Sequence, residues 1–118
     1  MRGGMRLAIW VAWGLVAGVL ALGHLLFAFE NFRFGGLAVF EGVFAALAGV
    51  ALLASIVIFR RSPTMAAATV LTSSLPLTGW FALASVLVEP AWQFVLLSLV
   101  VPGAAAIIIL LLWSFGER

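Results

Sequence analysis

Residues 37–63 read LAVFEGVFAALAGVALLASIVIFRRSP, an apolar and small-residue run broken by one carboxylate, Glu41, and closed by two arginines and Ser62-Pro63. Wound as a helix at about 1.5 Å per residue, the part from Leu37 to Phe59 is long enough to cross a hydrocarbon layer roughly 30 Å thick. Arginine is costly inside that layer and proline interrupts a helical ladder, so the run must end at a membrane surface and the chain must turn back.

Similar runs flank it. Apolar segments extend from about Leu7 to Phe29, Leu37 to Phe59, Thr64 to Val88 and Ala91 to Phe115. The expected fold class is all-α, a single transmembrane domain over residues 1–118 folded as an antiparallel four-transmembrane-helix bundle. Glu30-Asn31-Phe32-Arg33 with Gly35-Gly36, then Arg60-Arg61-Ser62-Pro63, then Glu89-Pro90 are the expected connectors, because glycine and proline break or cap helices and short links force antiparallel neighbours.

Composition agrees. Hydrophobic residues make up 66% of the 118 positions and charged residues 8%, against about 45–50% and 25% in soluble domains. That surplus must face lipid or partner proteins. Six arginines and four glutamates give a formal net charge of +2, too little for a nucleic-acid footprint. The absence of cysteine excludes disulfides, thiolate catalysis and iron–sulfur ligation.

Arg2, Arg6, Arg60, Arg61 and Arg118 fall on one side of this topology and Arg33 on the other, so the positive-inside rule places both termini in the cytoplasm. Trp10, Trp13, Phe59, Trp113 and Phe115 near the inner boundary, and Phe29, Phe32, Phe34 and Trp92 near the outer one, read as interfacial anchors. Met1-Arg2 followed by Ala21-Leu22-Gly23 loosely imitates a cleavable signal peptide, but the apolar run continues past Gly23 and the segment is read as a retained helix.

His24 and Glu41 are the charged or titratable residues well inside the apolar runs. Counted from a hairpin tip near Phe32 and Arg33, they fall at similar depth on antiparallel helices and are expected to be neighbours. Such a pair could bind a cation, relay a proton or hold a quinone-like head group; it could equally be a polar clasp between the first two helices, and both readings stay open. No metal site is expected, since one histidine and one carboxylate fall short of the usual ligand set. No cofactor is expected either, and contact with haem, chlorophyll or a quinone would run through His24. Glu30 and Arg33, three residues apart, fit a surface pair at the outer hairpin.

Gly14 and Gly18 in the first helix, and Gly42, Ala45, Ala46 and Gly49 in the second, mark faces where helix backbones can approach closely. Thr69, Thr72, Ser73, Pro76 and Trp80 form a polar, kinked stripe on the third helix, and Ser98 and Pro102 repeat the theme on the fourth. Hydroxyls bonding back to their own helix account for such stripes more commonly than transport does.

The stretch Ala38-Val39-Phe40-Glu41-Gly42 through Gly49 to Arg60-Arg61, about a quarter of the chain, resembles the second helix of DoxX-like small four-helix membrane proteins, in which a Glu enters a Gly/Ala-rich helix ending at a basic turn. The resemblance implies a four-helix bundle with a role beside membrane redox systems, and it carries over Glu41 alone. Small multidrug-resistance transporters share only size and helix count, because their essential Glu lies in the first helix.

These readings lead first to a non-enzymatic integral membrane protein, an accessory or structural subunit of a membrane complex, redox or photosynthetic, or of a homo-oligomer. Its partners would be lipids and other membrane subunits or a second copy. The alternative is a small homodimeric transporter or channel using Glu41 and His24 as a proton- or cation-binding site. An intramembrane enzyme would have to rest on those two residues with Ser85 or Ser98, and no catalytic motif supports it.

Overall fold

A computed structural model describes residues 3–87 and 92–117. Arg2, Val88, Glu89, Pro90, Ala91 and Arg118 lie outside the described residues, as do the side chains of Arg6 and Phe115.

Four helices run in sequence: α1, Gly3–Phe34; α2, Ala38–Arg61; α3, Pro63–Leu87; α4, Trp92–Glu117. Each is long and apolar enough to cross a membrane, so the protein is an all-α, multi-pass membrane bundle. In lipid every backbone N–H and C=O must be satisfied within the protein, and a helix does this within one segment. The bundle measures 52 × 24 × 17 Å. Each helix packs along its neighbour in the chain, and the α1–α4 seam is sparser than any seam between chain neighbours.

The first hairpin departs from the sequence expectation. α1 does not stop near Phe29 but continues through Glu30, Asn31, Phe32 and Arg33 to Phe34. Asn31 Nδ2 donates to the Phe27 carbonyl at 2.9 Å, and Arg33 meets Glu30 at 3.2 Å along the same helix face. The polar run therefore extends the helix rather than breaking it. Gly35 and Gly36, with φ of 70° and 61°, make the turn, a conformation that glycine alone adopts without strain. Backbone bonds from Val39 to Gly36 and Phe40 to Leu37, both 3.2 Å, start α2.

The second connection is a single residue. Ser62 is extended (φ −152°, ψ 102°) and donates its N–H to the Ile58 carbonyl at 2.8 Å, closing α2. Its hydroxyl accepts the Met65 N–H at 3.3 Å, capping α3, while Pro63 occupies the first helical position, where its missing N–H costs nothing. Pro76 and Pro102 lie inside α3 and α4.

At the end of the bundle that carries the Arg60-Arg61 turn, all four helices share one core. Ile9, Trp13, Ala17 and Ala21 of α1 face Leu52 and Phe59 of α2, Val70 of α3 and Ile109 of α4. Trp13 is fully buried, stacks on Phe59 with centroids 6.3 Å apart, and donates to Ser55 Oγ at 3.2 Å. Trp13 and Phe59 are thus core residues and not interfacial anchors: the spacing of four from Ile9 to Ala21 turns Trp13 inward. Trp10, one residue round the helix, fits the boundary better. It donates to the Ile56 carbonyl at 2.7 Å while the Arg60 guanidinium lies 4.9 Å above its ring. A second, smaller core at the hairpin end joins Ala28, Ala45 and Leu77 with Phe27, Phe44 and Phe81.

Candidate functional site

Two glycines of α2 set the register against α1. A Cβ on Gly42 would lie 2.8 Å from the Phe32 ring and 3.0 Å from the Ala28 carbonyl oxygen, and one on Gly49 would lie 3.1 Å from Leu25 and 3.2 Å from His24 Cβ. Gly49 stands at the centre of α2. His24 is therefore near the middle of the bundle, deeper than a tip at Phe32 and Arg33 implies.

His24 continues the inward stripe of α1 between Ala21 and Ala28. Its Nδ1 lies 2.8 Å from the Leu20 carbonyl one turn back. A carbonyl oxygen only accepts, so this contact puts a proton on Nδ1, and in the neutral imidazole Nε2 is then the acceptor. The side chain borders a cavity of about 10 Å³ that also touches Ala48 and Leu52 of α2, Val70 and Ser74 of α3, and Val101 and Pro102 of α4. All four helices contribute to this junction.

Glu41 is elsewhere. It sits in the first turn of α2, where a carboxylate suits the positive end of the helix dipole. Its Oε1 accepts the Trp80 indole N–H at 3.0 Å, and the Trp80 ring lies 5.4 Å from that of Phe40 and 6.0 Å from that of Phe44. Measured along α2 from Gly49, Glu41 is about 12 Å nearer the hairpin. The expected His24–Glu41 neighbourhood is not formed, because extending α1 to Phe34 moves the tip to Gly35-Gly36 and shifts the pairing. Glu41 clasps α2 to α3 instead of α2 to α1. Glu30 and Arg33 form their ion pair on an exposed surface, with side chains 58% and 65% exposed.

Polar residues of α3 divide by face. Thr69 and Thr72 bond back to the carbonyls of Met65 and Ala68 and take no part in the junction. Ser74 and Thr78, which the sequence reading passed over, face inward. Ser74 Oγ donates to Leu71 O at 2.8 Å, and Thr78 Oγ1 lies 3.2 Å from Ser74 O and 3.3 Å from Ser98 O across the α3–α4 contact. The Ser98 carbonyl is the one Pro102 cannot serve, since proline has no N–H for the residue four positions before it. Counting back four from each proline would have pointed to it.

The small-residue faces are used unequally. Gly42 and Gly49 are tightly approached and Ala46 packs against the hairpin-end core, whereas a Cβ on Gly14 would meet Ile56 only at 3.8 Å and one on Gly18 would meet nothing within 4 Å. Among the described residues no group of three or more His, Asp or Glu is placed to hold a metal ion. No family model, curated protein or solved structure matches the chain.

Proposed function

We propose that this membrane protein is a non-enzymatic accessory or structural subunit that packs against another membrane helix, from a partner polypeptide or a second copy, along the Gly14–Gly18 flank of α1. The carrying observation is the contrast among glycines: those of α2 are filled by α1, while Gly18, like Gly23 of α1, Gly79 of α3 and Gly103 of α4, has nothing within 4 Å, and Gly18 is the one of these spaced four residues from a second glycine, Gly14. Helices associate in lipid through close backbone packing at small residues rather than through the hydrophobic effect. Extensive exposed apolar surface, including Leu15, Val19, Leu22 and Leu26 on α1, suits a lipid or protein environment on every side.

The resemblance of the Glu41 helix to DoxX-like proteins supports a redox-associated complex as the setting. Arg60 and Arg61, together at one end of the bundle, support a cytoplasmic location for that end and for the termini. A proton- or cation-coupling site built jointly from Glu41 and His24 is supported less, because their depths differ by about 12 Å and Glu41 is engaged by Trp80.

The test is native mass spectrometry of the untagged protein in mild detergent, with Gly18→Leu beside it. A heteromer or homodimer that Gly18→Leu dissociates, while helicity is retained, is the expected result. A monomer throughout, or an assembly indifferent to Gly18→Leu, would overturn the reading.

A further inference from the structure

The His24 imidazole uses one ring nitrogen. Nδ1 is satisfied by Leu20 O, and Nε2 has no hydrogen-bond partner among the described residues. Among the described residues no fully buried side-chain nitrogen or oxygen lacks a partner, so Nε2 keeps some accessible surface, and the His24 side chain lines the junction cavity. An unpartnered acceptor at the middle of a hydrocarbon layer is unfavourable, and something that donates a hydrogen bond should sit against it.

About 10 Å³ is close to the least volume that holds one water, the smallest donor that could serve Nε2, and the cavity is partly open rather than sealed. A buried water also needs at least two polar partners, and the wall supplies a second. Ser74 Oγ spends its proton on Leu71 O and keeps lone pairs free to accept.

We propose that the cavity at the four-helix junction is a binding site for a single ordered water, which donates one hydrogen bond to His24 Nε2 and the other to Ser74 Oγ. The water ties α1 to α3 at mid-membrane, beside the Pro102 segment of α4. This inference is independent of any partner on α1, and its test reads the interior of the bundle rather than its assembly.

His24 is the sole histidine of the chain, so isotopically labelled histidine gives one imidazole signal. Solid-state NMR in lipid bilayers, in buffer alkaline enough to keep a free imidazole neutral, would read both the tautomer and the transfer of magnetisation from water to the ring. The expected result is a proton on Nδ1, a hydrogen-bonded Nε2, and water transfer that falls at least about twofold in a helical Ser74→Ala variant. A ring without water transfer, a proton on Nε2 instead of Nδ1, or transfer undiminished by Ser74→Ala would each overturn the assignment.

Discussion

The hydroxyl of Thr78 stands 3.3 Å from the carbonyl oxygen of Ser98, the carbonyl left without a helical donor by Pro102. Thr78 has one hydroxyl proton, for which Ser74 O at 3.2 Å on its own helix also competes, so α3 offers the break in the α4 ladder a shared donor. Such interhelical bonds contribute about 0.6 kcal/mol on average and up to about 1.7 in lipid.

Thr78→Val should accordingly destabilise the bundle by about 1 kcal/mol, read as a shift in reversible unfolding in mixed micelles. In a Pro102→Ala background the restored N–H at position 102 can serve Ser98 itself, and the cost of Thr78→Val should shrink. Equal costs in both backgrounds would mean that the two residues are not coupled.

Glycine-to-alanine substitutions should rank by the space observed at each position. Gly42→Ala, whose new methyl would meet the Phe32 ring at 2.8 Å and backbone at 3.0 Å, should cost about 1–3 kcal/mol by overpacking. Gly49→Ala should cost less, since the contacts at 3.1 and 3.2 Å are to side chains. Gly18→Ala should fall within about 0.5 kcal/mol of the native protein. The same unfolding assay orders the three.

Burial separates the tryptophans. Trp13→Ala, which empties a fully buried site and strands the Ser55 contact, should cost about 3–5 kcal/mol. Trp113→Ala, at a site 43% exposed, should cost under about 1 kcal/mol in micelles. Similar losses for both would contradict the inward position of Trp13.

Glu41→Gln keeps an oxygen that can accept the Trp80 N–H and should change stability by less than about 0.5 kcal/mol. Glu41→Leu removes the acceptor and should cost about 1–3 kcal/mol by leaving a part-buried donor unpaired. If instead Gln and Leu are equally damaging, the carboxylate charge matters and the clasp alone does not explain the residue.

The four spans were legible because lipid imposes length and apolarity on each segment, and the runs ending at Arg60-Arg61 and at Gly35-Gly36 record that constraint directly. Helix ends were less legible. Glu30 to Arg33 look like a loop by polarity, yet a helix can continue past the hydrocarbon layer when local bonds such as Asn31 to Phe27 support it. This extension alone undid the His24–Glu41 pairing, since a shift of the tip moves both strands of the hairpin count. Rotation about the axis was the other hidden variable. Position near a helix end suggested an anchoring role for Trp13, and only the four-residue spacing of Ile9, Trp13, Ala17 and Ala21 told which way it points. Ser74 and Thr78 escaped notice for the same reason, next to the more conspicuous Thr69 and Thr72.

Ser62 closes one helix with its backbone N–H and opens the next with its hydroxyl. With no further residue between them, α2 and α3 share no aqueous loop, and we expect them to enter the bilayer as one hairpin, the strongly apolar α2 carrying in an α3 burdened with hydroxyls and a proline. Lengthening this turn with a flexible insert would uncouple that joint entry, so the damage should appear first in the yield of membrane-integrated protein, before any property of the assembled bundle changes.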